Sequence, residues 1–131
     1  MAPRVEKIKR TTLSRVACLD LLRASDLARV VISVRCLPAA LPARIALVDD
    51  NHLLLASTEE AVIVAAHRGE VLSVQIDGLE SDGATWSVMA SGIAKTASDA
   101  ETPPEPLRRA LSHGSRLVEL PLSVVVGEKV G

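Results

Sequence analysis

Apolar and polar residues alternate along this chain with two periods, one typical of helices and one typical of strands. A helix is predicted after Thr11 and Thr12, which serve as its cap, and it ends near residues 24–26. Its apolar positions recur every three or four residues: Leu13, Val16, Ala17, Leu19, Leu21 and Leu22. The β-branched run 29–35 then predicts a strand, and the prolines in 37–42 predict a turn that ends its pairing.

A short hairpin and a second helix follow. Residues 43–48 and 52–57 are apolar and flank Asp49-Asp50-Asn51, whose short polar side chains suit a turn. The hydroxyl of Ser57 or Thr58 is expected to cap a helix over 61–67, which ends at Gly69.

The clearest alternation lies in the second half of the chain. Leu72, Val74 and Ile76 share one face of a predicted strand, and Trp86, Val88 and Ala90 share one face of the next, with residues 78–83 as the loop. Residues 98–106 form an irregular crossover and 107–111 a short helix. Residues 116–126 supply the last strand, in which Pro121 marks an edge or a bulge.

This order of elements predicts a mainly β (α+β) fold, a small antiparallel barrel with short helices at its rim. The 131 residues are too few for two ordinary domains, so a single domain over 12–131 follows a basic N-terminal lead-in over 1–11. The chain has one Trp and no Phe or Tyr, so its core must be aliphatic.

Composition excludes several classes of function. A net charge of −1 and the lack of aromatic residues argue against a nucleic-acid surface. No apolar run is long enough to span a membrane, and the N-terminus carries charges where a signal peptide is apolar, which predicts a cytoplasmic protein. Cys18 and Cys36 are expected to be buried free thiols, and the three histidines lack metal-ligand spacing, so no metal site is expected.

The long hairpin, from Gly69 to Asp77 and from Ala84 to Lys95, resembles the central hairpin of the flavin-binding split-barrel family related to pyridoxamine 5'-phosphate oxidase. Further segments match the family in order: Leu27-Ala28-Arg29-Val30, Leu41-Pro42, Trp86-Ser87-Val88, Val118-Glu119-Leu120 and Gly127-Glu128-Lys129. The resemblance covers about residues 12–129. It implies a split β-barrel that forms a homodimer, with flavin mononucleotide (FMN) in a groove between the two protomers.

The resemblance also implies where a cofactor would lie. It assigns cofactor contacts to Arg44, Ser57 and Thr58, and it sets Trp86 as a wall beside the flavin ring; the ordinary alternative for Trp86 is a core or interface side chain. In the family a Thr-Lys pair opens the short helix and binds phosphate, whereas this alignment puts Ala61-Val62 there. The resemblance therefore implies a weakened phosphate site, in which Arg44 or Arg68 is the candidate to replace the missing lysine. Val62→Lys, alone or with Ala61→Thr, is expected to strengthen flavin binding.

Two hypotheses about function follow. The first is an FMN- or deazaflavin-binding oxidoreductase acting on an unknown small molecule. The second is a split-barrel homodimer that has lost the flavin and acts as a binding or regulatory module. Haem on the same fold is a third possibility, without a nominated axial ligand. The sequence shows no paired catalytic carboxylates, glycine-rich phosphate loop or Cys/His dyad, so catalytic residues stay unassigned and any redox chemistry would be the cofactor's.

Overall fold

The computed structural model describes residues 8–97 and 102–131, which form nine strands and three short helices. The elements in chain order are β1 (Arg10–Thr12), α1 (Arg15–Arg23), β2 (Leu27–Val34), β3 (Leu37–Asp49), β4 (His52–Ser57), α2 (Glu60–Arg68), β5 (Val71–Leu79), β6 (Thr85–Ile93), β7 (Lys95–Thr96), α3 (Glu105–Leu111), β8 (Arg116–Pro121) and β9 (Val124–Val130).

The strands form one antiparallel sheet in the order β1-β9-β6-β5-β2-β3-β4-β8-β7. The sheet curls so that β6 meets the end of β8, where Gly92 lies against the carbonyl oxygen of Pro121. Any side chain at residue 92 would collide with that backbone oxygen, so only glycine permits this close approach. The predicted small antiparallel barrel with short helices is confirmed.

The interior of the barrel is aliphatic, as the composition requires. Leu72 and Val74 of β5 and Val88 and Ala90 of β6 point inward, which confirms the alternation predicted for the long hairpin. The helix α1 adds Cys18, Leu19 and Leu22 to the same core. Its cap is Ser14, whose Oγ accepts the N–H of Ala17 at 3.1 Å, rather than the predicted Thr11 or Thr12. Both threonines instead belong to β1, which spans Arg10–Thr12.

Strand β4 is buried on both faces. Its inward residues Leu53 and Leu55 join the main core, while its outward residues Leu54 and Ala56 contact Leu107 of α3. These three residues, Leu54, Ala56 and Leu107, form a second, smaller cluster that we call the α3 cluster. The helix α3 therefore covers the outside of the barrel over β4.

Among the described residues, no such helix covers the outer side of β2, β5, β6 and β9, and we call this side the open face. The strand pairings place nine apolar side chains on it, and six of them are more than half exposed. The exposed six are Leu27, Val71, Leu79, Ile93, Val124 and Val126, and the half-buried three are Val31, Met89 and Val130.

Several sequence predictions need correction. Residues 37–42 are not a turn but the first half of β3, because Arg35 and Cys36, with φ of 52° and 65°, make a two-residue reversal directly after β2. Cys36 is consequently exposed rather than buried. The expected last strand is two strands separated at Leu122-Ser123, since β8 pairs with β4 and β9 pairs with β6.

The described part of the predicted lead-in is also structured, because β1 pairs with β9. Residues 1–7 of that lead-in and 98–101 of the predicted crossover lie outside the described residues. In the described ranges, no helix combines the length and the apolar character needed to cross a membrane.

Candidate functional site

A groove of about 500 Å³ lies on the outside of the barrel between α3 and the strands β3 and β4. We call it the α3 groove. Its walls are polar and charged as well as apolar: Asp26, Arg44, Thr58, Glu105, Pro106, Arg109, Ala110, His113 and Ser115. Two of the four residues that the sequence proposed for cofactor binding, Arg44 and Thr58, therefore line one groove.

The alternation of β3 explains the position of Arg44. Ala43 and Ile45 point into the core, so Arg44 between them points outward. On the neighbouring strand it pairs with Leu27, which belongs to the open face, and on the other side with Ala56, which α3 covers. Arg44 thus lies on the border between the covered and the uncovered parts of the sheet.

Ser57 and Thr58 connect β4 to α2 and have different surroundings. Ser57 is buried, and its Oγ accepts the N–H of Glu59 at 3.0 Å, so its hydroxyl is used within the chain. Thr58 is exposed and lines the groove. The expected hydroxyl cap of α2 is wrong, because the N-cap residue is Glu59 and makes no side-chain cap bond. Ser57 fixes the turn that presents Thr58.

The helix α3 and the turn after it contribute one wall of the groove. Pro106, Arg109 and Ala110 follow the i, i+3, i+4 spacing that brings side chains to one side of a helix, and His113 adjoins them from the turn after Leu111. The Nδ1–H of His113 donates to the carbonyl oxygen of Arg109 at 2.8 Å in the tautomer that this contact requires. This leaves Nε2 as the ring nitrogen available to other groups. The sequence analysis did not nominate these residues, although their spacing was visible in it.

The charges of the groove are mixed. Arg44 and Arg109 bring two guanidinium groups, and Asp26 and Glu105 bring two carboxylates. Among the described residues, no ion pair joins either of these carboxylates to either guanidinium. The groove therefore presents both positive and negative groups along its walls.

The start of α2 does not match the expected phosphate site. Val62 is 0% exposed and belongs to the main core, so it cannot face a ligand as the Ala61-Val62 alignment requires. The residues that do face solvent there are Glu59 and Glu60, which are acidic. This contradicts the premise of the Val62→Lys expectation, because a lysine at residue 62 would start inside an aliphatic core; its effect on flavin binding stays a prediction. Arg68, the other proposed substitute, lies in the last turn of α2 and outside the α3 groove.

Trp86 lies apart from Arg44 and Thr58. Its ring covers Gly78 on the paired strand, where an added Cβ would come within 2.5 Å of Cζ2, and it packs against the main core. It lines a separate groove with Asp77 and Glu128. The structure does not bring Trp86 of this chain to the α3 groove, and its position matches the core alternative considered for it.

Other reactive side chains offer little chemistry. Burial raises the pKa of the Cys18 thiol above its ordinary value, which disfavours the nucleophilic thiolate. At the β3–β4 turn, the backbone N–H of Asn51 and the side chain of His52 hold the pKa of Asp49 below its ordinary value. Within 8–97 and 102–131, no group of three or more His, Cys, Asp or Glu residues is placed to hold a metal ion.

Comparison with known proteins gives the family. The family model described as pyridoxamine 5'-phosphate oxidase matches residues 14–122, and no curated protein matches the sequence.

Solved structures share the fold at low identity. A FAD-binding protein from Mesorhizobium loti is 21% identical with a TM-score of 0.75, over 95% of this chain and 99% of the other. A FAD-binding protein from Mycobacterium smegmatis is 22% identical with a TM-score of 0.69, over 92% and 98%. A FAD and haem binding protein from Mycobacterium smegmatis is 16% identical with a TM-score of 0.66, over 91% and 72%. With a family match over most of its length and the barrel that these structures share, the chain belongs to the pyridoxamine 5'-phosphate oxidase family.

Proposed function

We propose that the protein binds a flavin nucleotide in the α3 groove and acts as a flavin-dependent oxidoreductase on a small molecule. The observation that carries this proposal is that Arg44 and Thr58, assigned to the cofactor from sequence alone, line one groove of about 500 Å³. A volume of that order is within the usual range for small-molecule sites. The flavin-binding neighbours favour this hypothesis over the cofactor-free module.

The chemistry of the groove supports such a ligand. A guanidinium group and a hydroxyl are donors suited to a phosphate, and Leu27 and Ala56, the strand partners of Arg44, bring apolar side chains beside it for a flat ring system. Flavin mononucleotide, FAD and a deazaflavin share these features. Arg44 and Thr58 are the proposed phosphate-side residues, and Ser57 acts through the turn that positions Thr58. Trp86 lies outside this groove, so we propose no contact between Trp86 and a flavin bound in it.

We further propose that the protein is a homodimer formed through the open face. Six apolar side chains there are more than half exposed, and apolar side chains adjoin one another on this face: Val71 pairs with Ile93, and Val126 pairs with Met89. Exposed apolar surface of this kind is typical of an interface. Because Arg44 pairs with Leu27 at the border of this face, a second protomer would form the wall of the α3 groove opposite α3. Light scattering at micromolar concentration is expected to give twice the mass of 13.8 kDa, and a monomer would contradict this.

The absorption spectrum tests the flavin proposal directly. The purified protein, supplied with FMN, FAD or a deazaflavin and then desalted, is expected to retain visible flavin absorption. Arg44→Gln is expected to weaken binding about tenfold, as the loss of a charge-assisted hydrogen bond predicts. Arg68→Gln is the matched control, since Arg68 is also exposed but lies outside the groove. Equal affinities for the two variants, or no retained flavin, would contradict the proposed site.

A further inference from the structure

We propose that Arg109 of α3 and His113 of the turn after it, together with Arg44, bind the phosphate of the flavin nucleotide in place of a cation at the start of α2. This inference rests on the proposed function and adds the residues that hold one part of its ligand. It assigns to α3 a role in ligand binding beyond covering the barrel.

The start of α2 is poorly suited to an anion in this chain. Glu59 and Glu60 are exposed there and bring negative charge to the end of the helix where backbone N–H groups would otherwise attract a phosphate. Val62 points into the core. A phosphate held in the α3 groove therefore needs its cationic partners from another element.

The helix α3 and the turn that follows it supply side chains for this role. Arg109 lies in the last turn of α3 and His113 in the turn after it, and both line the groove together with Arg44. The Nδ1 contact of His113 with the Arg109 carbonyl oxygen orients the imidazole, and Nε2 donates to a phosphate oxygen when the ring is protonated on both nitrogens. Guanidinium groups present planar pairs of donors that match phosphate oxygens. The three side chains, from β3, from α3 and from the turn after α3, all line the groove.

The two carboxylates of the groove fit the rest of such a ligand. Asp26 and Glu105 are acceptors, and they are outside ion-pair distance of Arg44 and Arg109. A ribityl phosphate carries hydroxyl donors beside its anionic group. The groove thus offers acceptors for hydroxyls and cations for a phosphate in one place.

The neighbouring arginine of the same helix provides a matched control. Arg108 is exposed like Arg109, but it is not on the groove-lining face. We would titrate the wild type, Arg109→Gln, His113→Gln and Arg108→Gln with FMN and with riboflavin, which lacks the phosphate. Arg109→Gln is expected to weaken FMN binding about tenfold or more and to change riboflavin affinity less than about twofold. His113→Gln should shift FMN in the same direction, and Arg108→Gln should leave both affinities unchanged.

The outcomes separate this inference from the proposed function. If the wild type binds FMN but Arg109→Gln and Arg108→Gln behave alike, the assignment to α3 is overturned while the flavin site stands. If Arg109→Gln weakens FMN and riboflavin equally, the residue does not bind phosphate and the inference is also overturned. If the wild type binds no flavin, both proposals fail. As a second measurement, inorganic pyrophosphate is expected to compete with FMN for the wild type and not for Arg109→Gln.

Discussion

Truncation of Leu107 tests whether α3 is held to the barrel by its own small cluster. Leu107 is 0% exposed and contacts Leu54 and Ala56, and this cluster is separate from the main core. The variant Leu107→Ala removes the largest buried side chain that α3 contributes. We expect the helix to dock less firmly while the barrel beneath it stays folded.

The expected loss follows from the burial of this residue. Shortening a buried leucine to alanine removes three carbon groups at about 0.8 kcal/mol each, and the cavity adds to that. A short helix on the surface can settle partly into the space, so we expect about 2–4 kcal/mol. A tenfold change in an equilibrium constant corresponds to about 1.4 kcal/mol. A loss of about 2 kcal/mol therefore raises the population of the undocked helix, and with it the rate of amide hydrogen exchange, about thirtyfold.

Hydrogen exchange of the α3 amides, compared with urea unfolding of the whole protein, measures this effect. The amides of residues 108–111 should exchange about thirtyfold faster or more, and FMN affinity should fall because one wall of the groove is lost. Leu111→Ala is the control, since Leu111 is only half-buried and should cost about 1 kcal/mol. Wild-type exchange in α3 with Leu107→Ala would refute the idea that the α3 cluster holds the helix.

Three further predictions concern other elements. Val62→Lys should lower the free energy of unfolding by about 3 kcal/mol or more, because its charge enters the core; wild-type stability with tighter FMN binding would reinstate residue 62 as a phosphate position. Gly78→Ala should displace the ring of Trp86 and cost about 1–3 kcal/mol; since Trp86 is the only tryptophan, an unchanged emission maximum would disprove this. Asp49 has a folded pKa below its ordinary value of 3.8, so its contribution to stability should be present above that pH and lost as pH falls through the folded pKa. Asp49→Ala should remove that dependence from acid unfolding curves, and identical curves for both proteins would contradict it.

Strand periodicity predicted most of the barrel because the inner face of each strand meets one continuous core. The alternation in β5 and β6 was therefore a reliable signal, and so was the turn at Asp49-Asp50-Asn51. The turn predicted from the prolines at 37–42 was wrong. Pro38 and Pro42 are tolerated in β3 because this part of the strand is paired along one edge only, with β2. No local pattern marks Arg35 and Cys36 as a reversal, since neither is glycine or asparagine.

The candidate site was predicted in part. Arg44 and Thr58 came from the resemblance, and the structure brings them to one groove. The α3 side of that groove was missed, because nothing local indicates that a helix starting at residue 105 covers β4. Residue 62 was misplaced because the alignment did not consider which side of α2 faces the core. Ala65 and Ala66 lie three and four residues after Val62 and are buried, so Val62 lies on the same buried side of the helix.

The position of the α3 groove outside the barrel has a consequence for how this protein can change over evolution. Arg44, Thr58 and Arg109 are exposed, whereas the side chains that hold the barrel together are enclosed within it. Substitutions at exposed positions usually change stability by no more than about 0.5 kcal/mol, while core substitutions cost several times that. The ligand preference of the proposed site can therefore change through successive substitutions of exposed residues that leave the stability of the barrel nearly unchanged. Solved structures that are 21% and 22% identical to this chain share its barrel, so the fold itself tolerates extensive substitution.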